Sequence, residues 1–343
     1  MSGIPESVTV PHFVGGSQIK TRTRVVPSPG PGQLLVLVKA NALCGSERPQ
    51  FRDGTDVTPG HEAAGVAVAA GPNTRTAVGT PGAIFLMDFC GECRSCRRGF
   101  TNQCLSKRAD MGFSHDGGYG VYELVHENIF FATSTDFTPT EATLLLDIMG
   151  TGGHAIRRAQ LAHRDIESVV VAGAGPIGLG VLAMAKIMLG PDIPVYIFDM
   201  VDYRLSLAEE LGGKPISVAN GKTVAEGLRH HGVDAVDIAI DTSGKKVARE
   251  ASLHSLAQRG ALILVGHGEE LRVDVSPDMI ATERSVLGSE YFAYSEMAVN
   301  AKYLAEHRAY LNKIITHRFG VDEIQHAFEL FFAGETGKVI IEQ

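Results

Sequence analysis

The sequence predicts an α/β protein of two domains, a β-rich barrel-like domain interrupted by a doubly wound parallel sheet. Three observations carry this. The 343 residues exceed what one ordinary core organises and suit two domains of roughly 150 residues each. Up to about Pro139 the chain consists of short β-rich runs cut by Gly and Pro, and from about Thr140 to Gly288 the pattern changes to strands separated by helix-length segments.

In chain order, the runs QLLVLVKA, AAGVAVAAG, GAIFLMDF, YGVYELV and NIFFAT predict the strands of the small barrel. The strands VVVAG, VYIFD, VDIAID and ALILVG follow, with RLSLAEELG and KVAREASLHSLAQ as helices between them, and such alternation means a parallel sheet. From about Ser289 come the helical stretches YLAEHRAYLNKI and VDEIQHAFELFFAGE, then a terminal strand KVIIEQ expected to return to the first domain. The expected division is residues 1–148 with 289–343 for the discontinuous β-rich domain and 149–288 for the inserted sheet domain.

Ser168–Gly190 is nearly uncharged, with Lys186 as its one charge, but it is not read as a membrane span. Gly173, Gly175, Pro176 and Gly178 break it into a buried strand followed by a buried helix. Hydrophobic residues make up 44% and charged residues 20%, near the globular average, and the net charge of -8 argues against a nucleic-acid or anionic-membrane partner. A small polar substrate or cofactor is the expected partner. The start, MSGIPESVTVPHFVGG, lacks the basic and apolar regions of a secretion signal, so a cytoplasmic location is expected.

Cys90, Cys93, Cys96 and Cys104 follow the spacing C-x2-C-x2-C-x7-C within a lobe at about 88–106. Four thiolates saturate a tetrahedral zinc ion and leave no position for chemistry, so the lobe is expected to be structural. The competing reading is a pair of disulfides; the one other cysteine is Cys44, and nothing points to an oxidising compartment.

Gly173, Ala174, Gly175, Pro176, Ile177 and Gly178 form G-x-G-x-x-G directly after a predicted strand and at the opening of a helix. The first glycine permits the tight turn, the second lets a pyrophosphate approach the helix N-terminus, and the third allows close packing. Asp199 ends the next strand, 21 residues beyond Gly178, where a carboxylate accepts hydrogen bonds from the adenosine ribose and repels a 2′-phosphate. NAD is therefore expected rather than NADP. FAD uses a similar fingerprint, but commonly at the start of a chain. Cys44 and His61, in CGSE and GHE, are capable zinc ligands, although a buried free cysteine is on spacing alone more often core.

With CGSE, GHE, the four-cysteine lobe, GAGPIG with Asp199, and the closing run THRFGVDEIQHAFELFFAGETGKVII, the chain resembles the zinc-dependent medium-chain alcohol dehydrogenases over nearly its full length. The resemblance implies a GroES-like catalytic domain, an inserted Rossmann domain and a catalytic zinc in the cleft between them. It makes Cys44 and His61 zinc ligands, Ser46 the hydroxyl facing the substrate oxygen, and Glu62 a nearby carboxylate that binds or exchanges with the zinc. Asp147 in LLLDIMGTGGHA takes the place of the third ligand, with a helix N-cap as its structural alternative, and Thr151 that of a nicotinamide contact. This part resembles bacterial secondary-alcohol and formaldehyde dehydrogenases and departs from the Glu-Pro pair of sorbitol-type enzymes.

The same resemblance implies that Arg204 lies near the adenosine, Gly266 and His267 lead to the nicotinamide, and Lys338 lies near the pyrophosphate. Pro49 stands where many relatives carry a relay histidine. Arg48, Phe51, Phe89, Tyr119 and Tyr291 are candidate cleft residues, although aromatics are more often core. The expected activity is hydride transfer between NAD and a secondary alcohol, polyol or sugar-like substrate, with two zinc ions per chain and a homodimer or homotetramer. The alternatives are an NAD(P)H-linked quinone or enoyl reductase of the same fold, and a non-catalytic zinc- or nucleotide-binding protein.

Overall fold

The computed structural model describes residues 3–343; Met1 and Ser2, which open the stretch read for a secretion signal, lie outside the described residues. The β-rich part begins with a hairpin, β1 (Ser7–Gly15) and β2 (Gln18–Val25). It continues with β3 (Gln33–Ala42), β4 (Ala63–Ala70), β5 (Pro81–Ile84), β6 (Met87–Asp88), β7 (Ala109–Asp110), β8 (Tyr122–His126) and β9 (Phe130–Ala132). Six parallel strands follow: β10 (Val169–Ala172), β11 (Val195–Asp199), β12 (Lys214–Ser217), β13 (Val236–Asp241), β14 (Leu256–Leu264) and β15 (Ser285–Gly288). The chain closes with β16 (Ile315–Gly320) and β17 (Lys338–Glu342).

The parallel sheet runs β12-β11-β10-β13-β14-β15. Its centre is apolar on both faces: Val169, Val170, Val171, Ala172, Ile238, Ala239 and Ile240 are all fully buried. Each buried Val or Ile contributes about 1.5–3 kcal/mol of hydrophobic stabilisation. The strand order reverses between β10 and β13, so the crevice at their carboxyl ends is the topological switch point where this architecture receives a ligand.

The second large sheet runs β16-β17-β3-β4-β5-β9, with β8 also paired to β3. Strand β17 lies antiparallel to β3 through Ile340 opposite Ala42 and Ile341 opposite Asn41. The last strand of the chain therefore flanks the one that leads into Cys44.

Three local expectations change. The run GAIFLMDF is two strands, because β5 pairs within the barrel whereas β6 leaves it to pair with β7 beside the cysteine lobe. The helix in KVAREASLHSLAQ ends at His254; Leu256 instead opposes Val236 and opens β14, where it is buried, so tertiary pairing overrides helical propensity. The hairpin β1–β2 had no assigned strand, since β2 reads QIKTRTRV and most of its side chains face solvent. Among the described residues no helix is long and apolar enough to cross a membrane.

Candidate active site

Strand pairing sets the two sequence-distant ligands beside each other. Asn41 of β3 opposes Ala63 of β4, and the Ala42 N–H donates to the Glu62 carbonyl at 3.1 Å, so Cys44 and His61 emerge at the same end of the ladder. Asp147 comes from a third place. It opens a π-helical turn, Asp147–Thr151, in which the Met149 N–H reaches back to the Leu144 carbonyl at 3.0 Å. Turns of this kind are rare and concentrate at functional sites. A Cβ on Gly180, in the helix Pro176–Met188, would stand 2.5 Å from the Ile148 carbonyl oxygen, so the nucleotide-side helix packs directly on this turn.

Cys44, His61, Glu62 and Asp147 are all buried, and one ligand atom from each lies within 4.8 Å of the others. Cys44 Sγ lies 3.3 Å and His61 Nε2 3.5 Å from Asp147 Oδ2. Tetrahedral zinc bonds of about 2.0–2.3 Å separate neighbouring donor atoms by about 3.3–3.5 Å, so these residues fit the ion. His61 Nε2 and Glu62 Oε2 are buried without a hydrogen-bond partner, which a metal would supply. The charge balance points the same way. Cys44, Glu47, Glu62 and Asp147 converge here with one ammonium, Lys338, and uncompensated buried charge is costly.

Burial, followed by Asp147, pushes the Cys44 thiol up. Burial opposes a charged His61, but its contacts with Asp147, Cys44 and Glu47 outweigh this and hold it well above the ordinary imidazole range. Burial works against an ionised Asp147 too, yet His61 and Lys338 hold that carboxyl far down. The Glu62 carboxyl is raised to about 8, chiefly by burial and against the pull of Lys338.

Glu47 escaped the sequence reading. Its Oε1 lies 3.1 Å from His61 Nδ1, and its Oε2 accepts from the Tyr119 hydroxyl at 2.8 Å. A carboxylate behind a metal-ligating imidazole fixes the ring's tautomer and orientation and raises its basicity. The one signal available was an acid three residues after Cys44 in CGSE. Lys338 corrects an expectation. It is fully buried, pairs with Glu62 and donates to the Leu43 carbonyl at 3.0 Å, so its ammonium sits behind the cluster rather than beside a pyrophosphate. The pairing of β17 with β3 puts it there.

The lobe is built differently. Its four cysteines are free and half-buried, with Cys90 and Cys96 sulfurs 4.0 Å apart and Cys90 and Cys104 sulfurs 3.6 Å apart. A disulfide needs about 2.05 Å, whereas a tetrahedral ZnS4 centre spaces its sulfurs by about 3.8 Å. Backbone N–H groups of Cys96 and Leu105 point at Cys93 Sγ at 3.5 and 3.4 Å and draw that thiol down to about 6.

At the switch point Gly173 turns at φ +90°, a conformation that L side chains disfavour. A Cβ on Gly178 would collide with the Gly173 carbonyl at 1.8 Å, while one on Gly175 would meet only Arg204 Nη1, at 4.0 Å. The open ground in front of Gly175 thus lies at the start of a 13-residue helix, between its N–H groups and Arg204. Pro176 and Ile177 form its first turn. Asp199 Oδ2 accepts from the Ala174 N–H at 2.7 Å, and its Oδ1 accepts from Met200 and Val201. The Gly266 carbonyl accepts from Arg249, and His267, exposed, lies 3.1 Å from Glu290 Oε2. Thr151 Oγ1 donates to Asp147 Oδ1 at 3.0 Å, which joins the expected nicotinamide contact to the expected ligand.

Comparison with known proteins places this geometry. Residues 30–135 match the alcohol dehydrogenase GroES-like domain and residues 176–306 the zinc-binding dehydrogenase family, together more than half of the chain. The chain belongs to the zinc-dependent medium-chain alcohol dehydrogenases. This dehydrogenase is 29% identical to an uncharacterized zinc-type alcohol dehydrogenase-like protein of Escherichia coli K12, over 96% of this chain and 97% of that one. It is also 29% identical to an L-threonine 3-dehydrogenase of Pyrococcus horikoshii, over 92% of each. A solved Escherichia coli structure, described as a short chain alcohol dehydrogenase complexed with NADH, superposes with a TM-score of 0.88 at 24% identity, over 99% of this chain and 100% of that one. The protein is a zinc-binding dehydrogenase, and its GroES-like and Rossmann architecture is as expected.

Around the dehydrogenase's cleft the candidate residues divide. Phe51 and Tyr119 belong to an aromatic core with Phe13 and Phe328, and Phe89 packs on Phe85 and Tyr294; all three are buried. Arg48 lies over the Phe332 ring, 4.1 Å from its centroid, close enough to Arg204 for the two to repel. Ser46 and Pro49 are exposed. Phe113, not singled out from sequence, sits 5.0 Å from the His61 ring.

Proposed function

We propose that the enzyme transfers hydride between NAD and a secondary alcohol, polyol or sugar-like substrate at the Cys44, His61 and Asp147 cluster. The carrying observation is that thiolate, imidazole and carboxylate atoms stand at zinc-ligand separations while His61 Nε2 and Glu62 Oε2 lack partners. When bound, zinc supplies Lewis acidity toward the substrate oxygen, and NAD takes the electron pair. Glu47 orients His61, and Lys338 holds Glu62 beside the cluster. Ser46 passes the alcohol proton outward; because Ser46 and Pro49 are exposed, the route needs no side chain at position 49 to reach water.

In this reading Thr151 faces the nicotinamide, Gly173, Gly175 and Gly178 admit the pyrophosphate, Arg204 lies near the adenosine, and Asp199 selects NAD through the ribose hydroxyls. The two-domain division proposed is 1–148 with 289–343, and 149–288. The proposed setting is the cytoplasm, where five free cysteines stay reduced, and the proposed assembly is a homodimer or homotetramer, checked by light scattering.

NADH absorbance against a panel of secondary alcohols, polyols, sugars and threonine tests the proposal. At least one substrate class should yield NADH, and His61→Ala should abolish the signal. No turnover by zinc-loaded protein across the panel and the matching ketones would overturn it.

A further inference from the structure

The segment after β15, residues 289–294, is held at three points. Asn102, buried in the cysteine lobe two residues before Cys104, donates its amide to the Glu290 carbonyl at 2.7 Å. The Tyr294 N–H donates to Thr101 Oγ1 at 2.8 Å, again in the lobe. Between these ties Phe292 is fully buried, edge-on to Phe85 at 5.1 Å, and its ring fills the space that a Cβ on Gly150 would need, 2.3 Å away. Gly150 belongs to the turn that carries Asp147.

Tyr291 lies inside this bracket. It is half-buried and adopts φ +42°, a left-handed conformation that a bulky side chain enters only when its surroundings impose it. Its neighbour Phe292 packs on Gly150 of the Asp147 turn, and Tyr291 itself packs on the same hydrophobic core, which sets the segment beside the catalytic cluster. The ties to Thr101 and Asn102 fall on either side of this strained residue, and Phe292 blocks the chain from relaxing toward the Asp147 turn.

We propose that Asn102 is a positioning residue that holds Tyr291 at the catalytic cluster, so that the cysteine lobe shapes the substrate pocket as well as its own fold. Tyr291 then determines specificity by offering a hydroxyl and an aromatic edge to the part of the substrate beyond the reacting carbon. This use of Tyr291 rests on the cluster being the site of alcohol oxidation, but the positioning by Asn102 does not.

Hydrogen exchange and a fluorescent reporter separate the two. The chain has no tryptophan, so Tyr291→Trp installs a single reporter. In zinc-loaded protein, Asn102→Ala and the isosteric, donor-free Asn102→Asp should each speed exchange of the 290–294 amides about tenfold and increase acrylamide quenching of Trp at 291, with zinc content unchanged. With butane-2,3-diol as probe substrate, both variants should raise KM about fivefold or more while kcat stays within about twofold and NADH affinity holds. Unchanged exchange and quenching in both variants would overturn the proposal. So would a rise in KM accompanied by a fall in both thermal stability and NADH affinity, which marks general loosening. If wild-type protein turns over no alcohol, the catalytic reading fails while exchange and quenching still decide the role of Asn102.

Discussion

The two metal-type clusters of this chain invite comparison. In the lobe, the half-buried Cys90 sulfur stands 4.0 Å from that of Cys96 and 3.6 Å from that of Cys104, and backbone N–H groups of the same short stretch point at the Cys93 sulfur. In the catalytic cluster, a buried thiol, an imidazole and two carboxylates meet from three separate parts of the chain, with Glu47, Tyr119 and Lys338 packed behind them. A thiolate-saturated site only holds shape. A mixed set with fewer thiolates keeps Lewis acidity, and surrounding carboxylates and ammonium groups can then tune it.

The sharpest way to break this comparison is to remove one ligand from each. His61→Ala should lower kcat/KM by about 10⁴ or more, on the order of 5 kcal/mol of transition-state stabilisation, and reduce zinc from two ions per chain to one, read by elemental analysis. A variant that kept both ions would contradict the assignment of His61 as a ligand. Cys96→Ser should act on stability first, since thiolate zinc sites supply on the order of 10 kcal/mol to small domains; at least ~4 kcal/mol should be lost in denaturant unfolding. Equal stability with one zinc missing would mean that the lobe is ornamental to the fold.

A smaller effect tests proton exit. Ser46→Ala should cost about 2–4 kcal/mol, roughly 30- to 1,000-fold in kcat/KM, with zinc retained, and Pro49→His should change little. Near-normal turnover by Ser46→Ala would end the relay. Asp199→Gly should shift the NAD-to-NADP preference by about 10- to 100-fold, since it removes a carboxylate that repels the 2′-phosphate; comparable use of both cofactors by wild type would refute that role.

The smallest effect lies outside both clusters and serves as their control. Glu141 caps the helix Pro139–Thr143 and accepts from Arg308 and Asn312. Burial works against its charge, but hydrogen bonds from Arg308, Asn312 and Thr138 prevail and hold it at about 2. A depressed carboxyl contributes stability above its unfolded pKa, about 4.3, that is lost as pH falls toward 2. Glu141→Gln should remove about 1–3 kcal/mol at pH 7 and flatten the acid limb between those values, with zinc content at pH 7 unchanged. An unaltered acid limb would place the stabilisation elsewhere.

Legibility followed how local each feature is. The α/β class, the parallel strands and the glycine turn were visible because buried strands, helix-length spacers and G-x-G-x-x-G are written in consecutive residues. KVAREASLHSLAQ misled because Leu256 obeys its neighbour Val236 in β13 rather than its own helical stretch. Lys338 misled for the same kind of reason. The resemblance sets Lys338 near the pyrophosphate, yet β17 lies against β3 and carries the ammonium to Glu62.

The sequence by itself determined the cysteine spacing, the nucleotide fingerprint with Asp199, and the supply of thiol, imidazole and carboxylate from which a catalytic site is assembled. Only the tertiary structure decided which groups meet: Glu47 at 3.1 Å from His61, Asp147 on a π-helical turn between Cys44 and Thr151, and Tyr291 bracketed by the lobe. The physical reason is that spacing along a chain constrains atoms a few residues apart. Contacts across tens or hundreds of residues are set by strand register and the packing of whole elements, to which each local stretch contributes only a part.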